Sequence, residues 1–281
     1  MTRIDAHQHF WRLERGDYDW LTRDLGVLYR DYSPEDLDPH LRGQGIEGTI
    51  LVQAAATVAE TRFLLQLADQ HGFISGVVGW VDMEASDAPQ VIESLSSHPK
   101  FKGIRPMLQD LPDPEWILRD SLGPALETLV ARDLTFDALV RPVHLPHLHT
   151  FLKRHPRLRV VVDHGAKPNI AQGSAEGLAS WSESMRAIAS DTSACCKLSG
   201  LLTEAAPNSN AAQLQPYVDV LIEAFGPRRL MWGSDWPVLN LAGSYPGWYA
   251  MTRQLIAGLE AHEQEWILGR TACGFYGLVA G

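Results

Sequence analysis

Arg3-Ile4-Asp5-Ala6-His7-Gln8-His9-Phe10 is a short apolar run ending in His-x-His. Side chains two apart on a β-strand lean to one side, so His7 and His9 share a space. Two imidazoles there can hold a metal or polarise a substrate. Two satisfied histidines on a structural strand would give the same pattern. Leu230-Met231-Trp232-Gly233-Ser234-Asp235-Trp236-Pro237 sets a carboxylate among aromatic residues. Such a charge is costly unless it is paired or coordinating. Asp235 therefore reads as a general base or a metal ligand, against a turn or cap aspartate. Apolar surroundings predict a raised pKa, which suits a base.

Other ionisable groups end other apolar runs. His164, in Asp163-His164-Gly165-Ala166-Lys167-Pro168, joins His7, His9 and Asp235 to make three imidazoles and one carboxylate. That set suits one divalent ion, zinc first, or acts with no cofactor as donors to a developing oxyanion. Arg105 and Arg141 are the expected anion clamps, because guanidinium binds carboxylates through a fork. Gln53 ends a run and suits a hydroxyl-rich ligand, and Lys167 suits an anionic group. Trp11, Trp20 and Trp236 offer faces for stacking on substrate. His144, His147 and His149 read as surface histidines.

These residues need a scaffold that brings many run ends together. Strands are predicted at 3–7, 49–53, 74–81, 101–105, 135–141, 158–163, 194–199 and 229–233, separated by amphipathic segments. Ser33-Pro34-Glu35-Asp36 starts a helix by cap, proline and acid. An unbroken helix is predicted over 115–131, and the last helices over 249–260 and 263–269. Eight strand–helix units with buried-type strands imply a parallel sheet. Their count and the chain length match a single-domain (β/α)8 TIM barrel over residues 1–281. A doubly wound open sheet is the runner-up, weakened by the lack of a Gly-x-Gly-x-x-Gly after a strand. A long aromatic stretch at about 10–33 reads as a loop over the barrel mouth. In a barrel, the carboxyl ends of the strands converge where reactive groups sit.

Composition narrows the function. The 281 residues carry a net charge of −10, so no nucleic-acid footprint is expected. Cys195, Cys196 and Cys273 show neither a zinc spacing nor a disulfide framework, which points to a reducing cytoplasm. No secretory leader and no membrane-length apolar run is visible. The expected partner is a small molecule, and the expected state a monomer or homodimer.

Six motifs together resemble a known family. Ile4-Asp5-Ala6-His7-Gln8-His9-Phe10-Trp11, Phe101-Lys102-Gly103-Ile104-Arg105, Val162-Asp163-His164-Gly165-Ala166-Lys167-Pro168, Cys196-Lys197-Leu198-Ser199-Gly200-Leu201, Met231-Trp232-Gly233-Ser234-Asp235-Trp236-Pro237 and Phe275-Tyr276-Gly277-Leu278 are similar to the sugar-acid lactonase group of the amidohydrolase superfamily. The resemblance runs in order along nearly the whole chain. It implies a (β/α)8 barrel that hydrolyses a lactone such as L-fuconolactone to the free acid. It casts His7 and His9 as the first-strand pair, His164 as the sixth-strand histidine and Asp235 as the water-activating aspartate. The end of 136–141 offers no histidine, so a two-metal site is not expected. A lactone isomerase and a metal-dependent decarboxylase or amidase are the alternatives on this scaffold. Pro106 and Gly165 depart from the family pattern and are expected at the pocket mouth.

Overall fold

A computed structural model describes residues 2–278, so residues 1 and 279–281 of the expected domain lie outside the description. Eight strands form one sheet in sequence order: β1 (Ile4–Gln8), β2 (Gly48–Val52), β3 (Ile74–Gly79), β4 (Phe101–Ile104), β5 (Thr135–Ala138), β6 (Arg159–Val162), β7 (Cys195–Leu198) and β8 (Leu230–Trp232). Every adjacent pair is parallel. The ring closes just past β8. Gln8 bridges Trp236, the His9 N–H donates to the Trp236 carbonyl at 2.7 Å, and the Asp235 N–H donates to the His7 carbonyl at 2.8 Å. This is the (β/α)8 barrel, and the open-sheet alternative is excluded. Runs such as Val160-Val161-Val162 form these strands because both faces are covered.

Helices α1 (Pro34–Gln44), α2 (Val58–Gln70), α3 (Ala88–Ser96), α4 (Gly123–Ala131), α5 (Leu145–Arg154), α6 (Ala175–Asp191), α7 (Ala211–Phe225) and α8 (Tyr245–Leu255) follow the strands in turn. Ser33 caps α1 with its N–H on Asp36 Oδ2 at 2.9 Å, and Gly45 closes it at φ +65°. None of the described helices is long and apolar enough to cross a membrane.

Three of the boundaries that differ from expectation have a clear local cause. Residues 115–131 are two 3₁₀ turns and then α4, because Pro124 lacks an N–H and fits only a first turn. Strand β5 ends at Ala138 rather than Arg141. The Arg141 N–H leaves the ladder to donate to His144 Nδ1 at 3.1 Å, which also makes His144 a buried cap rather than a surface histidine. Helix α8 starts four residues earlier than predicted, where Ser244 accepts the Gly247 N–H; Ala261–Glu265, a π turn at Trp266–Arg270 and Thr271–Tyr276 then finish the chain.

An apolar plug fills the lower barrel. Ile4, Ala6, Ile50, Val52, Val78, Val161 and Met231 come from five strands and meet Tyr276 of the last helix. The larger core lies between strands and helices. Strands β4 and β5 approach so closely that a Cβ on Gly103 would overlap the Thr135 hydroxyl and carbonyl. Gly103→Ala should therefore destabilise the barrel by about 1–3 kcal/mol through forced backbone movement. A chemical denaturation midpoint equal to that of the parent chain would contradict this packing.

Candidate active site

Above the plug, residues from four strands bury a charged group. Lys197 on β7 is fully enclosed. Its Nζ lies 2.6 Å from Asp137 Oδ2, 3.0 Å from Asp163 Oδ1 and 3.1 Å from His7 Nδ1. The Tyr276 hydroxyl donates to the same Asp137 oxygen at 2.7 Å. Burial alone would raise the Asp163 pKa; the Lys197 ammonium and His7 outweigh it and hold Asp163 well below the usual carboxylate range.

The next layer up carries the residues singled out in sequence. His7 Nε2 lies 3.1 Å from His9 Nε2 and 3.7 Å from Asp235 Oδ1. His9 Nε2 lies 3.3 Å from Asp235 Oδ1, and His164 Nε2 lies 3.8 Å from it. The main chain aims these groups. Asp235 has φ +58°, and His164, Gly165, Ala166 and Lys167 all have positive φ between 50° and 61°. Non-glycine residues adopt this region at a cost of roughly 1–3 kcal/mol each, which the surroundings must offset. Ser199 Oγ meets His164 Nδ1 at 2.8 Å, and a Cβ on Gly200 would collide with the same ring. Asp5 ties β1 to the end of β8 by accepting the His7 and Ser234 N–H groups.

The charge states differ from the expectation for Asp235. Burial does push its pKa up. His164, His9 and His7 push it down further, so the carboxyl sits below the ordinary range and is ionised. Burial lowers all three histidines, His164 to about 4, and keeps the imidazoles neutral near pH 7. Three donor atoms, on His7, His9 and Asp235, thus face one point with edges of 3.1, 3.3 and 3.7 Å. A tetrahedral zinc site needs donor separations of about 3.4 Å, so the spacing of these atoms suits a single divalent ion.

A cavity of about 430 Å³ opens above this layer, with His9, His164, Asp235 and Arg105 at its base. One wall is apolar. Trp20, Leu25 and Leu28 of the long loop meet Val238 and Leu241 after β8. The facing wall is polar, with Gln109, Arg141, Lys167, Thr203 and Glu204 from the β4 to β7 ends. Lys167 is paired with Glu204 at 3.8 Å. Arg141 has no acidic partner within 4 Å among the described residues.

Several expected contacts are not in this wall. His7 is enclosed beneath His9 and Asp235. Gln53 is buried, and its side-chain oxygen accepts Arg105 Nε at 3.1 Å and Nη2 at 2.7 Å, so it holds the arginine instead of facing the cavity. Trp11 packs against Tyr18, Trp20 and Tyr32, and Trp236 against Phe10 and Tyr32. Both rings are used in core packing, and Trp20 is the tryptophan that reaches the cavity. Pro106 is buried outside the wall, and the Cα–Cβ direction of Gly165 faces Leu221, Leu201 and Trp181. Sequence reasoning missed Lys197, Asp137, Asp163 and Tyr276. The available signal was a charged residue in the middle of an otherwise apolar buried strand.

A model of the Amidohydrolase family matches residues 4–278. A Burkholderia ambifaria protein named L-fucono-1,5-lactonase is 47% identical over 280 residues, covering 98% of this chain and 95% of that protein. A Burkholderia multivorans protein of the same name is 39% identical, covering 98% and 96%. An amidohydrolase from Burkholderia multivorans, solved with bound zinc, superposes at a TM-score of 0.93 with 37% identity, over 99% of this chain and 100% of that chain.

The buried histidines predict acid sensitivity. The folded pKa of His164 is below its unfolded value near 6.5, so its contribution to stability is complete above 6.5 and is lost as pH falls through about 4. That span corresponds to at most about 3 kcal/mol, and His7 and His9 shift the same way. Unfolding free energy measured by denaturant should drop between pH 7 and 4.5, and His164→Gln should shallow the slope. Equal stability at both pH values would rule out neutral buried imidazoles.

Proposed function

We infer that this chain, which belongs to the amidohydrolase family, is a lactonase that opens a sugar-acid lactone to the free hydroxy acid. L-fucono-1,5-lactone is the first substrate to try, since two relatives carry that name. The observation that supports the chemistry best is an ionised Asp235 at the cavity base, its Oδ1 3.3 Å from His9 Nε2 and 3.8 Å from His164 Nε2. The two-sided cavity suits a ring with hydroxyls along one edge and a methyl on the other.

In this reading Asp235 takes a proton from a water molecule as its oxygen attacks the lactone carbonyl. The tetrahedral oxyanion forms beside His164 and the fixed Arg105 guanidinium. With Ser199 donating to His164 Nδ1, the His164 Nε2–H is free to stabilise that oxyanion. Collapse breaks the bond between the acyl carbon and the ring oxygen. The proton held by Asp235 passes to that leaving oxygen, and a carboxylic acid with a free hydroxyl results. Arg141 and Lys167 hold hydroxyl groups or the product carboxylate at the polar wall. A divalent ion on His7, His9 and Asp235 would supply Lewis-acid polarisation of the carbonyl. Three free cysteines support a reducing cytoplasm as the place of action.

Acid release from L-fucono-, L-rhamnono-, L-galactono- and D-galactono-lactones, followed by pH indicator with and without EDTA, tests the reading. Turnover of at least one lactone is expected. Asp235→Asn should lower kcat by about 10²–10⁴-fold while lactone still binds. No acid from any lactone, or full kcat in Asp235→Asn, would overturn it.

A further inference from the structure

We propose that Lys197 is a positioning residue that fixes His7 in the tautomer with its proton on Nε2, and so sets what fills the space between His7, His9 and Asp235. An ammonium group has N–H donors and no acceptor. Its 3.1 Å contact with His7 Nδ1 is favourable only if that nitrogen offers a lone pair. The remaining N–H groups of Lys197 face Asp137 and Asp163.

The same tautomer follows from the opposite end. His9 Nδ1 meets the Val52 carbonyl at 2.8 Å, and a carbonyl only accepts. His9 therefore carries its proton on Nδ1 and presents a bare Nε2. That bare nitrogen lies 3.1 Å from His7 Nε2 and 3.3 Å from Asp235 Oδ1. Three bare acceptors cannot share an enclosed space without a proton or a cation among them. A proton on His7 Nε2 supplies it, donated to His9 and lying near Asp235. Arg105 Nη1 lies 3.4 Å from this nitrogen and 3.6 Å from Asp163 Oδ2. Nη1 carries two N–H groups, one of which faces Asp163 Oδ2; its 3.4 Å approach to His7 Nε2 is longer than the 3.1 Å Lys197 contact at Nδ1, and the closer donor sets the tautomer.

The alternative tautomer would turn a His7 Nδ1–H toward Asp163 Oδ1 at 3.5 Å and set two donors, imidazole and ammonium, against each other at 3.1 Å. A divalent ion needs that alternative, since it needs a bare His7 Nε2. Lys197 thus favours a proton over an ion at this point. It acts through His7, and neither residue forms part of the cavity wall. The consequence for turnover rests on the lactonase reading: a donor at His7 holds the His9–Asp235 pair in place.

Nitrogen-15 NMR of the histidine rings in the full, chelator-treated chain tests the tautomer directly, with His7→Gln assigning the signals. His7 should show a bare Nδ1 and a protonated Nε2; the reverse overturns the proposal. The charge-balanced variant Lys197→Met/Asp137→Asn removes the donor without leaving an extra buried charge. It should bind Zn²⁺ at least tenfold more tightly than the parent, and its kcat on a hydrolysed lactone should fall at least tenfold with KM little changed. Unchanged His7 signals together with unchanged zinc affinity would also overturn the proposal. If the variant does not fold, the parent spectrum still decides. If no lactone is hydrolysed, the function reading fails while the tautomer result stands.

Discussion

A fully buried ammonium group at the centre of a barrel is the constraint around which this molecule is arranged. Removing such an ion from water costs several kcal/mol unless partners surround it. Lys197 is met by Asp137 and His7 from two other strands and by Asp163 just past the end of β6. Each partner must arrive at a set height on the barrel axis, so the registers of β1, β5, β6 and β7 are tied to a single point. The Tyr276 hydroxyl extends the cluster downward to the apolar plug. The last helix is thereby fastened to the layer that supports the site. Losing one carboxylate would leave an uncompensated buried charge, a far larger penalty than losing an exposed pair.

The site is a second tier on this foundation. His7 belongs to both tiers, with Nδ1 on Lys197 and Nε2 beside His9 and Asp235. Above it the main chain is forced into left-handed conformations at Asp235 and at four consecutive residues from His164. The strain persists because the backbone is held from outside. The Asp235 N–H is bonded to the His7 carbonyl, the Ser234 N–H to Asp5, and the Trp181 indole N–H to the Gly165 carbonyl. Strained backbone of this kind places side chains over the mouth without help from flexible loops.

The clustering of His7, His9, His164 and Asp235 was legible in the sequence and the foundation beneath it was not. His7, His9, His164 and Asp235 stand at the ends of apolar runs, and a barrel brings strand ends together whatever the loop details. Lys197 and Asp137 lie within strands, where a period-2 reading treats a charge as an interruption; its partner is 60 residues away. Trp11 and Trp236 were misplaced because a tryptophan after a strand end packs as readily on neighbouring rings as on a ligand. The Asp235 pKa was misjudged for a related reason. The sequence shows its aromatic neighbours, while the imidazoles that set its charge come from distant strands. Proline gave one local misreading, since leucine periodicity across 115–131 hid the break at Pro124.

The same logic extends to the cavity walls. The long loop is closed at its base by paired Trp11 and Tyr32 main chains and pinned at its tip by the Trp20 indole N–H on the Ala54 carbonyl at 2.7 Å. Ala54 is itself held by Glu60, whose carboxyl accepts the Ala54 and Ala55 N–H groups and whose pKa burial pushes up to about 7. The preceding residue, Gln53, grips Arg105. One buried acid therefore fixes both the apolar wall and the cation at the cavity base. Because the wall and the guanidinium share a support, a ligand meets them already in register. Discrimination then falls to the shape of a preformed cavity, whose ordering cost is met in folding and not again at each turnover.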